Sequence, residues 1–145
     1  MSTINHGMID DPMVGALGRF LDVDVARLKL ITSNLANVDT PGFRTSDLDF
    51  RAELARASVQ ASGGEEGSLS SAGYTPLAFA AQTYSPIVRR VRGLLERPDG
   101  NNVSVERESL LLAETQMKFN LGVQLLKDEF HTVSQAINSG GATSS

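Results

Sequence analysis

The sequence predicts a mainly α protein in which long N- and C-terminal helices pack as a coiled-coil-like hairpin, with an irregular, weakly β or partly disordered middle segment. Two segments with the periodicity of an amphipathic helix support this prediction, one near each end of the 145-residue chain. Between them lies a stretch rich in glycine and serine, which lacks the large apolar residues of a core. The predicted organisation is an N-terminal extension (1–12), an N-terminal helix with a turn (13–50), a variable middle segment and linker (51–100), a C-terminal helix (101–140) and a flexible tail (141–145).

The first predicted helix runs from about Met13 to Asn37. Asp11 and Pro12 favour a helix N-terminus, because an acidic side chain complements the helix dipole and proline has the backbone angle of a first turn. Apolar side chains then recur at intervals of three and four residues, as on one helix face. They are Val14, Leu17, Leu21, Val25, Leu28, Ile31 and Leu35. We expect this face to form one side of a helix-packing seam.

A turn is predicted where this helix ends, within the stretch SNLANVDTPGF. Asn37 suits a helix C-terminus because asparagine tolerates a left-handed backbone. Pro41 and Gly42 suit the central positions of a type II turn, since proline fixes one φ angle and glycine accepts a positive one. In the residues that follow, 45–50, apolar and acidic residues alternate as in an extended segment. On chemistry alone, the stretch is equally well an ordinary helix cap and loop.

The middle segment is predicted to hold little regular structure. Ser58 to Pro76 should be loop or disordered because it is rich in glycine and serine. Short extended pieces are predicted at Leu77 to Tyr84 and at Ile87 to Val91, with Pro86 between them as a breaker. The basic residues within 88–92 are interpreted as a solvated charged face.

The C-terminal helix is predicted from a heptad repeat of apolar residues. Ser104 is a candidate N-cap, with Glu106 and Glu108 in the first turn and glycines after the last. The repeat comprises Leu112, Phe119, Val123, Leu126, Phe130, Val133 and Ile137, while Leu110, Met117, Leu121 and Leu125 widen the stripe. A helix of about 34 residues would be roughly 50 Å long. A chain of this size cannot cover such a stripe itself, so an exposed apolar band should bind a partner or another copy.

Composition and motifs exclude several functions. The net charge of −4 and the absence of a basic stripe argue against nucleic-acid binding. There are no cysteines, and no apolar run has the length of a membrane span, so neither thiolate chemistry nor direct membrane insertion is expected. The N-terminus lacks the pattern of a cleaved signal peptide. His6 and His131 have no second histidine at metal-ligand spacing, and we expect no enzyme activity, catalytic residue, cofactor or metal.

The turn resembles that of the axial proteins of the bacterial flagellum, the rod, hook and hook-associated subunits. Their first helix ends in Ala-Asn-x-x-Thr-Pro-Gly-aromatic, which appears here at 36–43. The likeness is closest to proximal rod subunits, because two of their further motifs follow: Asp-Leu-Asp-Phe at 47–50 and Asp-Gly-Asn-Asn-Val at 99–103. The resemblance covers roughly 13–57 and 94–140. It implies an assembly turn comprising Asn34, Ala36, Asn37, Thr40, Pro41, Gly42, Phe43, Asp47 and Phe50.

The resemblance implies a structural subunit of the proximal rod of the basal body that self-assembles through its terminal helices and helps transmit torque. It implies export by the flagellar type III apparatus without a cleaved signal peptide, into a rod that spans the periplasm. The implied partners are other copies, FlgC-like rod subunits, the FliE-like ring-to-rod adaptor and the FliF-like MS ring protein. The first helix of the family starts closer to the initiator methionine, so residues 1–12 are interpreted as either an ordered contact or a disordered export tail.

Two alternatives share these features. One is another rod subunit of FlgC type, which the elements at 47–50 and 99–103 disfavour; large distal-rod and hook subunits carry inserted β domains for which the middle segment is too short and glycine-rich. The other is a non-enzymatic helical module that binds a partner helix in an apolar groove. Such a module has no need of the Thr-Pro-Gly-Phe turn.

Overall fold

The structure is a computed structural model that describes residues 12–62 and 85–140; predictions for 1–11, 63–84 and 141–145 lie outside this part. Its elements, in chain order, are α1 (Pro12–Ala36), β1 (Ser46–Asp47), α2 (Phe50–Ser62), β2 (Arg89–Arg90) and α3 (Val105–Gly140). The prediction of a mainly α protein with long terminal helices is therefore confirmed.

The helices α1 and α3 run in opposite directions and pack along one side of each other. In the first half of α1, Phe20 and Leu21 lie against Gly122 at the middle of α3. Near the end of α1, Asn34 bonds to Glu108 in the first turn of α3. A Cβ atom at position 122 would lie 2.9 Å from the Leu21 Cδ2 atom, so glycine allows this close approach.

Both helix ends that face the turn are capped as their sequences predict. The Asn37 side chain donates to the Ser33 carbonyl at 2.8 Å, and its backbone N–H donates to the same carbonyl at 3.2 Å. At the start of α3, the Ser104 hydroxyl accepts the Arg107 N–H at 3.3 Å. These bonds satisfy backbone groups that a helix end leaves without partners.

The helix α2 is a departure from the sequence prediction. The extended segment predicted through residue 50 reaches only Asp47, and the loop predicted from Ser58 begins at least five residues too early. The physical reason is a cap: the Asp49 carboxylate accepts the Ala52 N–H at 3.1 Å, and the Asp49 carbonyl accepts the Glu53 N–H at 2.9 Å. Several alanines follow, and they favour the helix that this cap starts.

A two-stranded antiparallel ladder connects the turn region to the segment before α3. Ser46 lies opposite Arg90 and Asp47 opposite Arg89, and the Val91 N–H donates to the Thr45 carbonyl at 2.9 Å. The weak β content of the middle segment is thus confirmed, within the piece predicted at 87–91. This ladder brings the segment before α3 beside the residues that follow α1.

The core is small and lies where α1, α2, β1 and the start of α3 meet. Its buried apolar residues, within the part of the chain that the structure describes, are Val23, Ile31, Leu48, Ala57 and Val103. Beside them, the Phe20 and Phe50 rings pack edge to face with centroids 5.3 Å apart. By contrast, α3 exposes large apolar side chains along its length, namely Val105, Leu110, Met117, Leu121, Leu125, Phe130 and Ile137. The fold therefore leaves much of the α3 stripe uncovered.

Candidate functional site: the motif junction

The turn after α1 has the geometry that Pro41 and Gly42 predict. The Phe43 N–H donates to the Thr40 carbonyl at 3.2 Å, closing a four-residue turn. Gly42 has φ 74°, the positive angle that the third position of a type II turn requires. A second bond holds Asn37 to this turn, because the Thr40 hydroxyl donates to the Asn37 side-chain oxygen at 3.1 Å. The turn is thus a fixed corner.

The segment Asp99–Val103 docks onto this corner through backbone bonds. The Gly42 N–H donates to the Asp99 carbonyl at 2.8 Å. Gly100, with φ 82°, lies so close that a Cβ atom there would be 3.4 Å from the Gly42 Cα atom. A Cβ atom at position 42 would meet no atom within 4 Å, so the two glycines suit the junction mainly through their positive φ angles. We name the docked pair, 37–46 with 99–103, the motif junction.

Asn101 is the central side chain of the motif junction and has no exposed surface. Its amide nitrogen donates to the Asn37 carbonyl at 2.9 Å and to the Thr40 carbonyl at 2.8 Å. Its side-chain oxygen accepts the Val103 N–H at 2.8 Å. One side chain thus satisfies three backbone groups on both halves of the junction, which buried polar groups require.

The neighbouring Asn102 bonds to Thr45 at two points and to Phe43 at one. The Thr45 N–H donates to the Asn102 side-chain oxygen at 2.8 Å, and the Thr45 hydroxyl donates to the Asn102 carbonyl at 3.1 Å. The Asn102 N–H donates to the Phe43 carbonyl at 3.4 Å. Asn102 and Thr45 are both buried. Asn101 and Asn102 therefore hold the two halves of the junction together.

Asn34 extends the bonding to both terminal helices. Its amide nitrogen donates to the Ser46 carbonyl at 2.8 Å and to the Glu108 carboxylate at 3.0 Å, and its oxygen accepts the Ser46 N–H at 3.1 Å. Asn34 and Glu108 are both buried. Asn34 therefore links α1 to β1 and to the first turn of α3.

An ion-pair network encloses the junction on one side. Asp47 accepts two bonds from Arg27 of α1, each at 3.2 Å, and one from Arg107 of α3 at 3.2 Å. Arg107 also pairs with the buried Glu108. These are paired and mostly covered charges, so removing one partner would leave another unmatched in a poorly hydrated site.

Two further arginines, which are more exposed than Arg27 and Arg107, also hold the junction together. Arg44 forms a two-pronged ion pair with Glu96, and this hydrogen bonding raises the pKa of Arg44. Arg97 donates to the Val38 carbonyl at 3.0 Å. Such exposed pairs add little stability each, but they hold the segment before α3 against the turn.

Asp24 is an unpaired acid between α1 and α3. It has no exposed surface, and neither carboxylate oxygen has a hydrogen-bond partner among the described residues. Burial raises its pKa to about 6; Lys118 and Arg27 lower it, and Glu114 raises it further. The charged form of Asp24 therefore weakens the packing of these helices.

The structure brings residues of the predicted assembly turn together, except that Phe50 lies in a different element. Asn34, Asn37, Thr40 and Gly42 bond within the junction, and Asp47 lies in the ion-pair network. Phe50 instead opens α2, where its ring contacts Phe20 and lies 5.1 Å below the Lys118 ammonium. The half-buried Phe43 lines a groove of about 530 Å³ between the turn and β2, and Ala36 and Pro41 are exposed.

The predicted seam residues differ in their coverage. Ile31 is buried, and those that are partly covered are Leu17, Leu21, Val25, Leu28, Leu35, Leu112, Phe119, Val123, Leu126 and Val133; Phe130 and Ile137 are exposed. The most buried residues of α1 include Val23 and Asp24, which the predicted stripe omits. The reason is that α1 contacts α2 and β1 as well as α3, so its covered face is displaced from the apolar stripe.

The sequence analysis missed Asn101, Asn102, Arg27 and Arg107 as site residues. Two consecutive asparagines after Asp-Gly were a usable signal, because asparagine side chains readily bond to nearby backbone. No signal in the sequence marked the two arginines as site residues, since a charged residue on a helix is usually solvated.

Candidate metal ligands are not grouped in the described part of the chain. Within residues 12–62 and 85–140, no three histidine or acidic side chains are grouped so that they could hold a metal ion. His131 is exposed on α3, and His6 lies outside the described residues. None of the helices in this part combines the length and apolar content that crossing a membrane requires.

Comparison with known proteins gives consistent matches. The pattern of the flagella basal body rod protein family matches residues 25–44, which span the end of α1 and the turn. Flagellar basal body rod protein FlgB of Yersinia enterocolitica is 32% identical over 139 residues, covering 90% of this chain and 98% of that protein. FlgB of Borrelia hermsii is 33% identical over 126 residues, with coverage of 82% and 90%. FlgB of Salmonella typhimurium is 29% identical over 125 residues, with coverage of 83% and 88%.

Proposed function

The chain belongs to the FlgB family of flagellar basal body rod proteins, and on this premise we propose that it builds the proximal rod by self-assembly through its terminal helices. In this role it would help transmit torque from the MS ring to the distal rod and hook. It is a structural subunit of the flagellum, and the proposed function requires no catalytic step.

The observation that carries this proposal is the exposed apolar face of α3. Leu110, Met117, Leu121 and Leu125 are between 47% and 73% exposed. At 3.6 residues per turn they share one face of α3, on the side away from Phe119, which lies toward α1. An apolar face of this length on a soluble subunit is typical of a surface that another helix covers.

The motif junction supports the same proposal from the other side. Its buried asparagines fix how α1 connects to the segment before α3, so each subunit would present its helices at the same angle. A repeated contact between unlike faces generates a helical assembly when its rotation does not close into a ring, and a rod requires such a contact. Uniform geometry is therefore as important as exposed apolar area.

We further propose the partners and route that rod subunits imply. The neighbours would be FlgC-like subunits, a FliE-like adaptor and a FliF-like ring protein at the base of the rod. Export would use the flagellar type III apparatus without cleavage of a signal peptide. Apolar helices that are covered mainly on assembly suit this route, because folding coupled to assembly keeps the unassembled chain pliable.

The test is complementation of a strain that lacks the gene. The unaltered chain should restore swimming and should be present in purified basal bodies. Met117→Asp should abolish rod assembly while the subunit is still exported, because a charge would be buried between neighbouring helices. Gln116→Asp, which changes charge at an exposed position on another side of α3, is the matched control and should swim.

Two results would contradict the proposal. Normal swimming of the strain without the gene would favour the helical binding module. Normal rods from the Met117→Asp subunit would show that the exposed face of α3 is not an assembly surface.

A further inference from the structure

A second exposed surface lies at the outer edge of the two-stranded ladder. The segment Ile87–Arg92, here named the arginine edge, pairs with β1 along one side only. Ile87 and Val88 are 49% and 45% exposed, and all three arginines of the segment are exposed. Among the described residues, these arginines have no ion-pair partner, unlike Arg44 and Arg97 nearby. The arginine edge thus combines unpaired positive charge with uncovered apolar side chains.

The exposed face of α3 has the opposite charge. Glu106, Glu114 and Asp128 lie on the same side of the helix as its exposed Leu and Met residues, by the 3.6-residue period. Glu114 pairs with Lys118, and the hydrogen bond from that lysine lowers the pKa of Glu114. The other two acids have no ion-pair partner among the described residues. This acidic stripe, as we name it, spans positions 106–128 on α3.

The two surfaces do not meet within one subunit. Within one subunit, β2 packs on β1 and makes no contact with α3, the helix that carries the acidic stripe. The start of the arginine edge is instead fixed to α2, because the Glu53 carboxylate accepts the Ile87 N–H at 3.1 Å. Each surface therefore needs a second molecule to cover it.

We infer that the arginine edge of one copy binds the acidic stripe on α3 of the next copy. The inference rests on the proposed self-assembly and names the two surfaces that meet. Both surfaces carry apolar side chains beside charges of opposite sign, so contact would cover apolar area and neutralise unpaired charge together. Since they lie on different elements, the contact is between unlike faces, the type of contact that can repeat along a rod.

The absence of cysteine in the chain allows a direct test by disulfide trapping. Val88→Cys places a thiol on the arginine edge, and Met117→Cys, Leu121→Cys or Leu125→Cys places one along the acidic stripe. Rods lie in an oxidising compartment, where two thiols bond if their Cα atoms are within about 7 Å. Chains that carry Val88→Cys and one stripe cysteine should form a ladder of cross-linked multimers in motile cells.

Matched controls separate a specific contact from random collision. Val88→Cys combined with Lys29→Cys, an exposed position on α1, should give no ladder. Co-expressing two chains with one cysteine each, one on either surface, should give dimers without longer products. If no stripe position yields a ladder in cells that swim, the inference is wrong, while the proposed rod function stands because swimming requires the rod.

A charge-reversal cycle tests the same contact independently. Arg89→Glu with Arg90→Glu should reduce swimming at least tenfold, as should Glu106→Arg with Asp128→Arg, and the four changes together should restore it. Lys29→Glu with Arg51→Glu changes net charge as much at exposed positions elsewhere and should swim normally. Helix content by circular dichroism establishes that each variant folds. If the combined variant swims no better than its halves, or if the control loses swimming equally, the contact is refuted.

Discussion

Replacing Asn101 by alanine should loosen the whole motif junction rather than one bond. The side chain is fully buried and bonds to the Asn37 and Thr40 carbonyls and to the Val103 N–H, all at 2.8–2.9 Å. Alanine would leave all three backbone groups without that partner. At about 1 kcal/mol for each bond, the junction would lose about 3 kcal/mol.

Amide hydrogen exchange measures this loss where it occurs. The Gly42 and Thr45 amides are suitable reporters, because they bond across the junction to Asp99 and Asn102 and make no bond to Asn101. Since 1.4 kcal/mol corresponds to a factor of ten, both amides should exchange roughly 100-fold faster. Asn120→Ala, at an exposed position of α3, is the control and should leave both amides unchanged.

The reasoning would be refuted by Gly42 and Thr45 amides that exchange within about twofold of the original rate in a folded Asn101→Ala chain. That result would mean that the backbone bonds alone hold the corner. The local measurement is preferable to a melting temperature, because we expect the isolated chain to unfold without a sharp transition and to gain helix on assembly. A sharp two-state melt of the monomer, followed by circular dichroism, would contradict that expectation.

Three further perturbations test separate parts of the structure. Burial raises the pKa of Asp24 from 3.8 to about 6, so its ionisation is disfavoured in the folded chain. The stability of the fold should therefore fall by on the order of 2 kcal/mol as pH rises from 4 to 6, and helix content should fall with it. Asp24→Asn should flatten this dependence of helix content on pH. Gly18→Ala, in open space, should stabilise α1 by up to about 1 kcal/mol, measured as slower amide exchange in that helix. Gly122→Ala should give no such gain, because its methyl group would meet the α1 side chains. Phe43→Ala should impair rod assembly and swimming in complementation assays. Leu95→Ala, at a residue 94% exposed, is the control and should not. Equal swimming by both variants would show that assembly does not need the Phe43 side chain.

Regular periodicity explains why the terminal helices could be predicted from the sequence. The apolar repeat of α3 and the Ser104 cap are local signals, and the structure reproduces both. The turn was predictable for the same reason, because Pro41 fixes its own φ angle and Gly42 accepts a positive one whatever surrounds them. Local chemistry determined these elements.

The helix α2 shows where local patterns compete. Residues 45–50 alternate apolar and acidic side chains, which favours an extended segment, but Asp49 is also a strong helix N-cap. The cap prevails because its bonds start a helix whose Ala57 enters the core and whose Glu53 holds the segment before β2. Tertiary contacts and the cap therefore overrode the extended pattern that the sequence predicts.

The contacts of the motif junction could not be predicted from the sequence, because its two halves are about sixty residues apart. The family resemblance identified both halves, yet neither pattern states that Asn101 bonds to the turn or that Arg27 and Arg107 share Asp47. The displacement of the covered face of α1 toward Val23 has the same origin, since it depends on where α2 and β1 pack. Long-range placement is information that only the folded chain carries.

Electron cryomicroscopy of intact basal bodies from the source bacterium tests the central claim most directly. The account predicts that this chain can be traced in the proximal rod, next to the MS ring, with the exposed face of α3 covered by neighbouring subunits and the motif junction as found here. A complete proximal rod in which no density fits this chain, or a traced chain whose α3 face remains in solvent, would contradict it.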